Sequence, residues 1–422
     1  MSKYLLLCSL ILSWSVAAKT PSELIADHRD SIFQIRIIDQ ASGNTYSIGS
    51  AFQISASGLM VTNFHVIADA LHKPADYSIR YIDYLNQTGG LELLAVDVVN
   101  DLALVQRNGI EQPYLALAPA QPQQGESIFS MGNPLDLGMT VVPGIYNSLV
   151  ANQFYDRILF SGAINPGMSG GPVLNAVGEV VGINVATSGN ELGFLVPLDK
   201  LNRLLQTYNL QNQDAWKETG RLDYLRNTVQ QQLQANEQLL MQTLLNRDWP
   251  LQQIGGNRVV GEIAPFVRCW GSSENSEQSY TQSITSTCQN SEYIYLSSQF
   301  TTGVVQYQFY WVDAKDLNSV QFYNNYEQMI GTMYAPNKAN AEDVTNYSCQ
   351  SDFVGQTKTT DKKYKSVFCT RAYRDYDNLF DVLLLVARID QPLQGLVGHF
   401  SLTGVSPASS LAFTRKFMDT LQ

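Results

Sequence analysis

Asn165-Pro166-Gly167-Met168-Ser169-Gly170-Gly171-Pro172 is the stretch whose reading decides the fold. Glycines on both sides of Ser169 let the backbone turn tightly, so the hydroxyl stands clear. The N–H groups of Gly167 and Ser169 are then free to face an incoming carbonyl oxygen. That pairs a nucleophile with an oxyanion hole, the equipment of an acyl-transfer enzyme. Taken alone, the same residues also describe a glycine-rich β-turn. What separates the two readings is a base for the serine.

A serine hydroxyl is a poor nucleophile unless a base takes its proton and a third group orients that base. The chain holds four histidines: His28, His65, His72 and His399. His65 follows the apolar run Leu59-Met60-Val61-Thr62, at a polar corner suited to exposing an imidazole. Asp101 opens the apolar run Leu102-Ala103-Leu104-Val105. A carboxylate there needs a partner, because burying an unpaired charge is costly; His65 supplies it. His72 reads as a surface residue, and His28 and His399 as structural.

The order His, Asp, Ser is that of the chymotrypsin-like double barrel, and the local resemblance is specific. Thr62-Asn63-Phe64-His65-Val66, Asn100-Asp101-Leu102-Ala103-Leu104, Met131-Gly132-Asn133-Pro134 and Ala163 through Pro172 resemble segments of the HtrA branch of trypsin-like serine proteases. Gly182-Ile183-Asn184 and Gly193-Phe194-Leu195-Val196-Pro197 resemble its closing strands. The resemblance covers roughly residues 22 to 205. It implies an all-β chymotrypsin-like double β-barrel with His65 as base, Asp101 as its orienting carboxylate and Ser169 as nucleophile.

Two positions depart from the pattern. Met168 stands where that branch has Asn and digestive relatives have Asp, so it must support the oxyanion loop by packing. Val185 stands where a hydroxyl residue bonds the triad carboxylate. In this fold the floor of the primary pocket lies six residues before the nucleophile, at Ala163. Ile164, Asn184, Val185 and Ala186 complete the expected substrate-binding set. An uncharged aliphatic pocket favours small or medium apolar residues, each methylene discriminating by about 1–3 kcal/mol.

A chain of 422 residues exceeds one ordinary domain. Residues 1–18 read as a secretory signal: Lys3, an apolar run, and a small-residue site at Val16-Ala17-Ala18. Leu7 before Cys8 argues against lipid attachment. The implied location is exported, periplasmic or secreted. Its formal charge of −11 gives no pull toward nucleic acid or an anionic membrane. No segment reads as a membrane span. Expected partners are protein or peptide substrates, and no cofactor or metal site is expected. The oligomeric state has no sequence signal. Beyond Cys8 the four cysteines all fall late, and the favoured pairs are Cys269–Cys288 and Cys349–Cys369.

Residues 19–205 read as the protease domain and 206–250 as a helical linker. Leu198–Tyr208 closes the protease. Leu222, Leu225, Val229, Leu233, Leu240 and Leu244 then recur at helical spacing opposite a glutamine-rich face taken to be the outer one. Residues 251–422 read as a disulfide-containing, β-rich α+β domain of unknown function, with strands expected at Glu292–Phe300, Val304–Val312 and Asp381–Ile389. It lacks the carboxylate-binding loop of the PDZ domain that HtrA relatives usually carry. Tyr323, Tyr326, Tyr373 and Tyr376 read mainly as packing residues. The leading reading is an exported serine endopeptidase; the alternative is a binding or chaperone-like envelope protein on an inactive protease scaffold.

Overall fold

Residues 32–107 form six short antiparallel strands: β1 (Ile32–Asp39), β2 (Thr45–Gln53), β3 (Leu59–Thr62), β4 (Tyr77–Ile82), β5 (Thr88–Asp97) and β6 (Leu102–Arg107). They close in the order β1-β2-β3-β6-β5-β4, with β1 also pairing β4. Six more repeat the arrangement: β7 (Ser127–Gly132), β8 (Thr140–Leu149), β9 (Ile158–Phe160), β10 (Pro172–Leu174), β11 (Val180–Thr187) and β12 (Gly193–Pro197). Their order is β10-β11-β12-β9-β8-β7, closed by the β10–β7 pairing. The expected double barrel is present. The computed structural model describes residues 18–421 except 110–112, 135–137, 188–191, 211–215, 217–219, 276–279, 315–316, 331–334 and 355–361. Residues 1–17 of the expected leader lie outside the described residues.

Helices join and brace the barrels. α1 (Pro21–His28) begins at a capping box in which Thr20 and Glu23 bond each other's backbone N–H. α2 (Phe64–His72) follows β3, and α3 (Leu198–Leu210) follows β12. α4 (Arg221–Leu245) has the 25-residue length that the leucine spacing predicts. Its first half, through Leu225, Val229 and Leu233, enters the core under the first barrel. Its second half, through Leu240, Met241 and Leu244, enters the core of the C-terminal sheet.

One expectation about α4 is corrected here. Its glutamine face is not simply an outer one: Gln232 accepts from the Val98 N–H (2.9 Å) and donates to the Val96 carbonyl (2.8 Å). A side-chain amide matches the donor-and-acceptor pattern of a strand edge, so glutamine supplies both partners at once.

The C-terminal region starts with the hairpin β13 (Leu251–Ile254) and β14 (Asn257–Val260), followed by β15 (Val267–Glu274) and β16 (Thr281–Asn290). The expected strand at Glu292–Phe300 is instead a hairpin, β17 (Ile294–Ser297) with β18 (Phe300–Thr302). Then come β19 (Val305–Ala314), α5 (Ser319–Ile330), β20 (Ser348–Val354), β21 (Tyr364–Ala372), β22 (Phe380–Arg388), β23 (Gln394–Val405) and α6 (Pro407–Asp419). Seven strands make one antiparallel sheet in the order β15-β16-β19-β23-β22-β21-β20.

Both faces of that sheet are covered, and strand alternation divides the side chains between them. Leu396 packs with α4 and α6, whereas the next residue, Val397, packs with Phe322 and Tyr326 of α5. β23 is therefore buried along nearly its whole length. Of the four tyrosines singled out, Tyr326, Tyr373 and Tyr376 are buried and Tyr323 is exposed.

Candidate active site

His65 sits in the first turn of α2, where helix N–H groups have no intrahelical acceptor. Its own N–H donates to Asp101 Oδ1 (2.8 Å), while its Nδ1 lies 2.7 Å from Asp101 Oδ2. One carboxylate thus holds both the backbone and the ring of the base. A negative group there also suits the positive end of the helix. Asp101 adopts a left-handed backbone with φ of 62°, a conformation Asp tolerates better than most residues. Asn63 pins it by donating to the Asp101 carbonyl (2.8 Å).

The far end of the helix is held as well. Arg226 of α4 donates to the carbonyls of Leu71 (3.2 Å) and His72 (3.0 Å) at the α2 C-terminus. Burial pulls the His65 pKa down, but the Asp101 charge and hydrogen bond outweigh it, leaving the imidazole above its ordinary 6.5. A base so placed accepts a proton readily at neutral pH.

Ser169 occupies the loop between β9 and β10. The Met168 N–H donates to the Asn165 carbonyl (3.0 Å), and Gly167 has φ of 94°. With Pro166 and Gly167 as its central residues this is a type II turn, which needs positive φ at its third position. A type I turn would flip the Pro166–Gly167 peptide over, so glycine sets which way that N–H faces.

The carbonyls of Gly167, Met168 and Ser169 are tied down. Gly167 O accepts from Ser50 Oγ (2.7 Å), and Ser169 O from the Ser50 N–H (2.8 Å). Met168 O accepts from the Gly171 N–H (3.0 Å) and from Asn184 Nδ2 (3.3 Å). Among the described residues, the N–H groups of Gly167 and Ser169 have no partner. Two donors without acceptors beside a hydroxyl can receive a developing oxyanion. The Ser169 hydroxyl donates to the Val185 carbonyl (3.0 Å).

Several sequence expectations are revised by this geometry. Asn184 is wholly buried and bonds Ser130 Oγ, Met131 O and Met168 O, so its side chain props the loop and does not line a pocket. Ile164 is 4% exposed and also turns inward. A Cβ on Gly193 would come within 2.7 Å of Ile164 Cδ1 and 3.0 Å of Phe160 Cδ1, so these two fill the space beneath β12. Ala163 and Val185 remain half-buried, and the Ala186 side chain lies outside the described residues. Met168 is fully buried in the core, as the packing role requires. Val185, which has no side-chain hydroxyl to offer Asp101, bonds the Ser169 hydroxyl through its carbonyl instead.

His72 is the clearest correction. It is half-buried and partnered rather than free on the surface: its Nε2 lies 3.2 Å from the Tyr376 hydroxyl, and burial drives its pKa down to about 4. Nothing in the sequence near His72 points to a partner some three hundred residues away. Ser50 was equally hidden, although the Asn133 N–H that donates to Ser50 Oγ (3.0 Å) lies in a motif already singled out.

Residues 49–183 match the trypsin-like peptidase domain. That span contains His65, Asp101 and Ser169. The protein named "Probable periplasmic serine endoprotease DegP-like" of Pseudomonas fluorescens is 36% identical over 163 residues, covering 36% of this chain and 33% of its own length. The mitochondrial serine protease HTRA2 of Bos taurus is 34% identical over 169 residues, covering 38% of this chain and 36% of its own. A solved serine endoprotease from Yersinia pestis is 22% identical, covers 46% of this chain and 67% of that chain, and superposes with a TM-score of 0.40. The chain spans about a third of the length of the curated relatives it matches. Its N-terminal half carries a trypsin-like peptidase domain with HtrA and DegP homologues. Among the described residues, no helix is long and apolar enough to cross a membrane.

Proposed function

We propose that the chain is an exported serine endopeptidase acting through His65, Asp101 and Ser169. The observation that carries this reading is the double hold of Asp101 on His65, through ring and backbone together. His65 takes the Ser169 proton as the oxygen attacks a substrate carbonyl carbon. The Gly167 and Ser169 N–H groups donate to the oxyanion. His65 then gives that proton to the leaving amine, and water repeats the sequence on the acyl-enzyme.

The filled space behind Gly193 supports a shallow, uncharged pocket at Ala163 and Val185, hence cleavage after small or medium apolar residues. Export rests on the leader-like residues 1–18, on late paired cysteines and on the periplasmic names of relatives. The inactive-scaffold reading draws on one observation, the bond from the Ser169 hydroxyl to the Val185 carbonyl; a χ1 rotation re-aims that hydroxyl.

Covalent labelling with a fluorophosphonate probe separates the two. Wild type should label and cleave an unfolded protein, and Ser169→Ala should do neither. Single losses at His65, Asp101 and Ser169 should be of order 10⁴–10⁶ in kcat and non-additive, since the three act as a unit. A wild type that takes no label overturns the protease reading. Fragments ending mostly in Lys or Arg would overturn the pocket.

A further inference from the structure

His65 has a neighbour from the other half of the chain. Tyr295, on β17, sets its ring edge-on to the imidazole, with centroids 5.7 Å apart and planes at 66°. Ile294 and Leu296 on either side are 2% and 0% exposed, in one cluster with Phe64, Ile67 and Leu71 of α2. Tyr295 is half-buried against the same cluster, beside the bulge in the β17–β18 pairing, with its ring edge on His65.

The hairpin is anchored on three sides. Tyr46 Oη lies 2.9 Å from Ser298 Oγ. Phe300 packs edge-on against Tyr373 at 4.8 Å. At its base the Glu292 carboxylate accepts the N–H groups of Phe154 (2.9 Å) and Tyr155 (3.3 Å). A wall held this firmly keeps its shape when a substrate arrives.

The chemistry says which part of a substrate meets it. The residues of the acyl-side pocket, Ala163 and Val185, belong to the second barrel. The leaving amine must come within hydrogen-bond reach of His65 to receive its proton. The leaving segment therefore runs past the imidazole over the first barrel, where Tyr46 and Tyr295 stand. We propose that Tyr295 walls the subsite for the residue following the cleaved bond and selects apolar or aromatic side chains there. The C-terminal half is then part of the recognition surface. An aromatic ring offers large apolar contact area and an edge-or-face geometry that aromatic side chains match. The proposal rests on the Ser169 protease reading.

The test uses the full chain and a peptide library varied at the residue after the cleaved bond. Wild type should favour apolar and aromatic residues there. In Tyr295→Ala that preference should fall about tenfold, while selection before the bond stays as in wild type and Ser169 still takes the fluorophosphonate label. Tyr295→Phe should keep the preference. If Tyr295→Ala does not fold, Tyr295→Leu and Tyr295→Trp carry the test, since both retain apolar bulk of different shape, and each should reorder the preference. Variants that label normally and select after the bond as wild type does would overturn the proposal and leave the protease reading standing. A wild type without label removes both.

Discussion

The two β-structures of this chain solve the same problem in opposite ways. Each barrel closes on itself, so no strand stands at an open edge of the sheet. The C-terminal sheet is open, and its edges are β15 and β20. Both are mostly exposed, so neither buries enough apolar surface to hold its place. Each is bonded to its neighbour by a disulfide: Cys269 opposite Cys288 on β15–β16, and Cys349 opposite Cys369 on β20–β21. Beyond Cys8, the four cysteines thus sit on the two edges of the open sheet.

The halves are nevertheless not independent. The cluster that fills the first barrel also contains Leu225 and Val229 of α4 and Leu296, Phe300 and Tyr376 from beyond residue 290. Truncating Leu296, which is fully buried there, is the strongest way to break the comparison. Leu296→Ala should cost about 2–5 kcal/mol. Calorimetry should show the first barrel and the β17–β18 hairpin losing stability together. A barrel transition that stays in place would mean the halves are separable.

Reducing the disulfides sharpens the contrast between closed and open sheets. Each closes about twenty residues, worth about 3 kcal/mol in the chain-entropy estimate. Hydrogen exchange after mild reduction should quicken first in β15 and β20, while barrel amides keep their protection. Equal loss of protection in the barrels would show that the staples support the whole chain.

Acidity gives the smallest effect, and its sign differs between sites. His65 has a raised pKa, so its contribution to stability is present below its unfolded value near 6.5 and is lost as pH rises through the folded value. His72, where the halves meet, and His399, buried in β23, are held down to about 4 by burial. Asp375 raises the His72 value, while Arg226 and Lys73 lower it. Below about pH 6.5 the unfolded chain binds protons that these two cannot, so their contribution falls as pH drops toward 4. Activity should also show an acid limb with its midpoint above 6.5, because His65 must be neutral to act as base. A pH profile of kcat/KM and a melting series between pH 4 and 8 check both signs; an acid limb below 6.5 would contradict the His65 environment.

The residues themselves specified what depends on local spacing and chemistry. The resemblance carried by short motifs implied the double barrel, and leucine spacing marked out α4. Scarcity of histidine and the need to pair a buried carboxylate led to His65, Asp101 and Ser169. Even the cysteine pairs were legible, since each brackets about twenty residues flanked by β-rich sequence. Tertiary structure alone decided what distance along the chain conceals. Asn184 looked like a pocket wall because its motif sits beside the site, yet an amide that meets three polar groups in the core turns inward. His72 looked exposed because a short helix shows nothing of the Tyr376 hydroxyl folded onto it. Tyr295 carried no motif; its place beside His65 follows from Ile294 and Leu296 packing under α2. Long-range burial sets which face of a strand is hidden, and no local pattern encodes the partner that hides it.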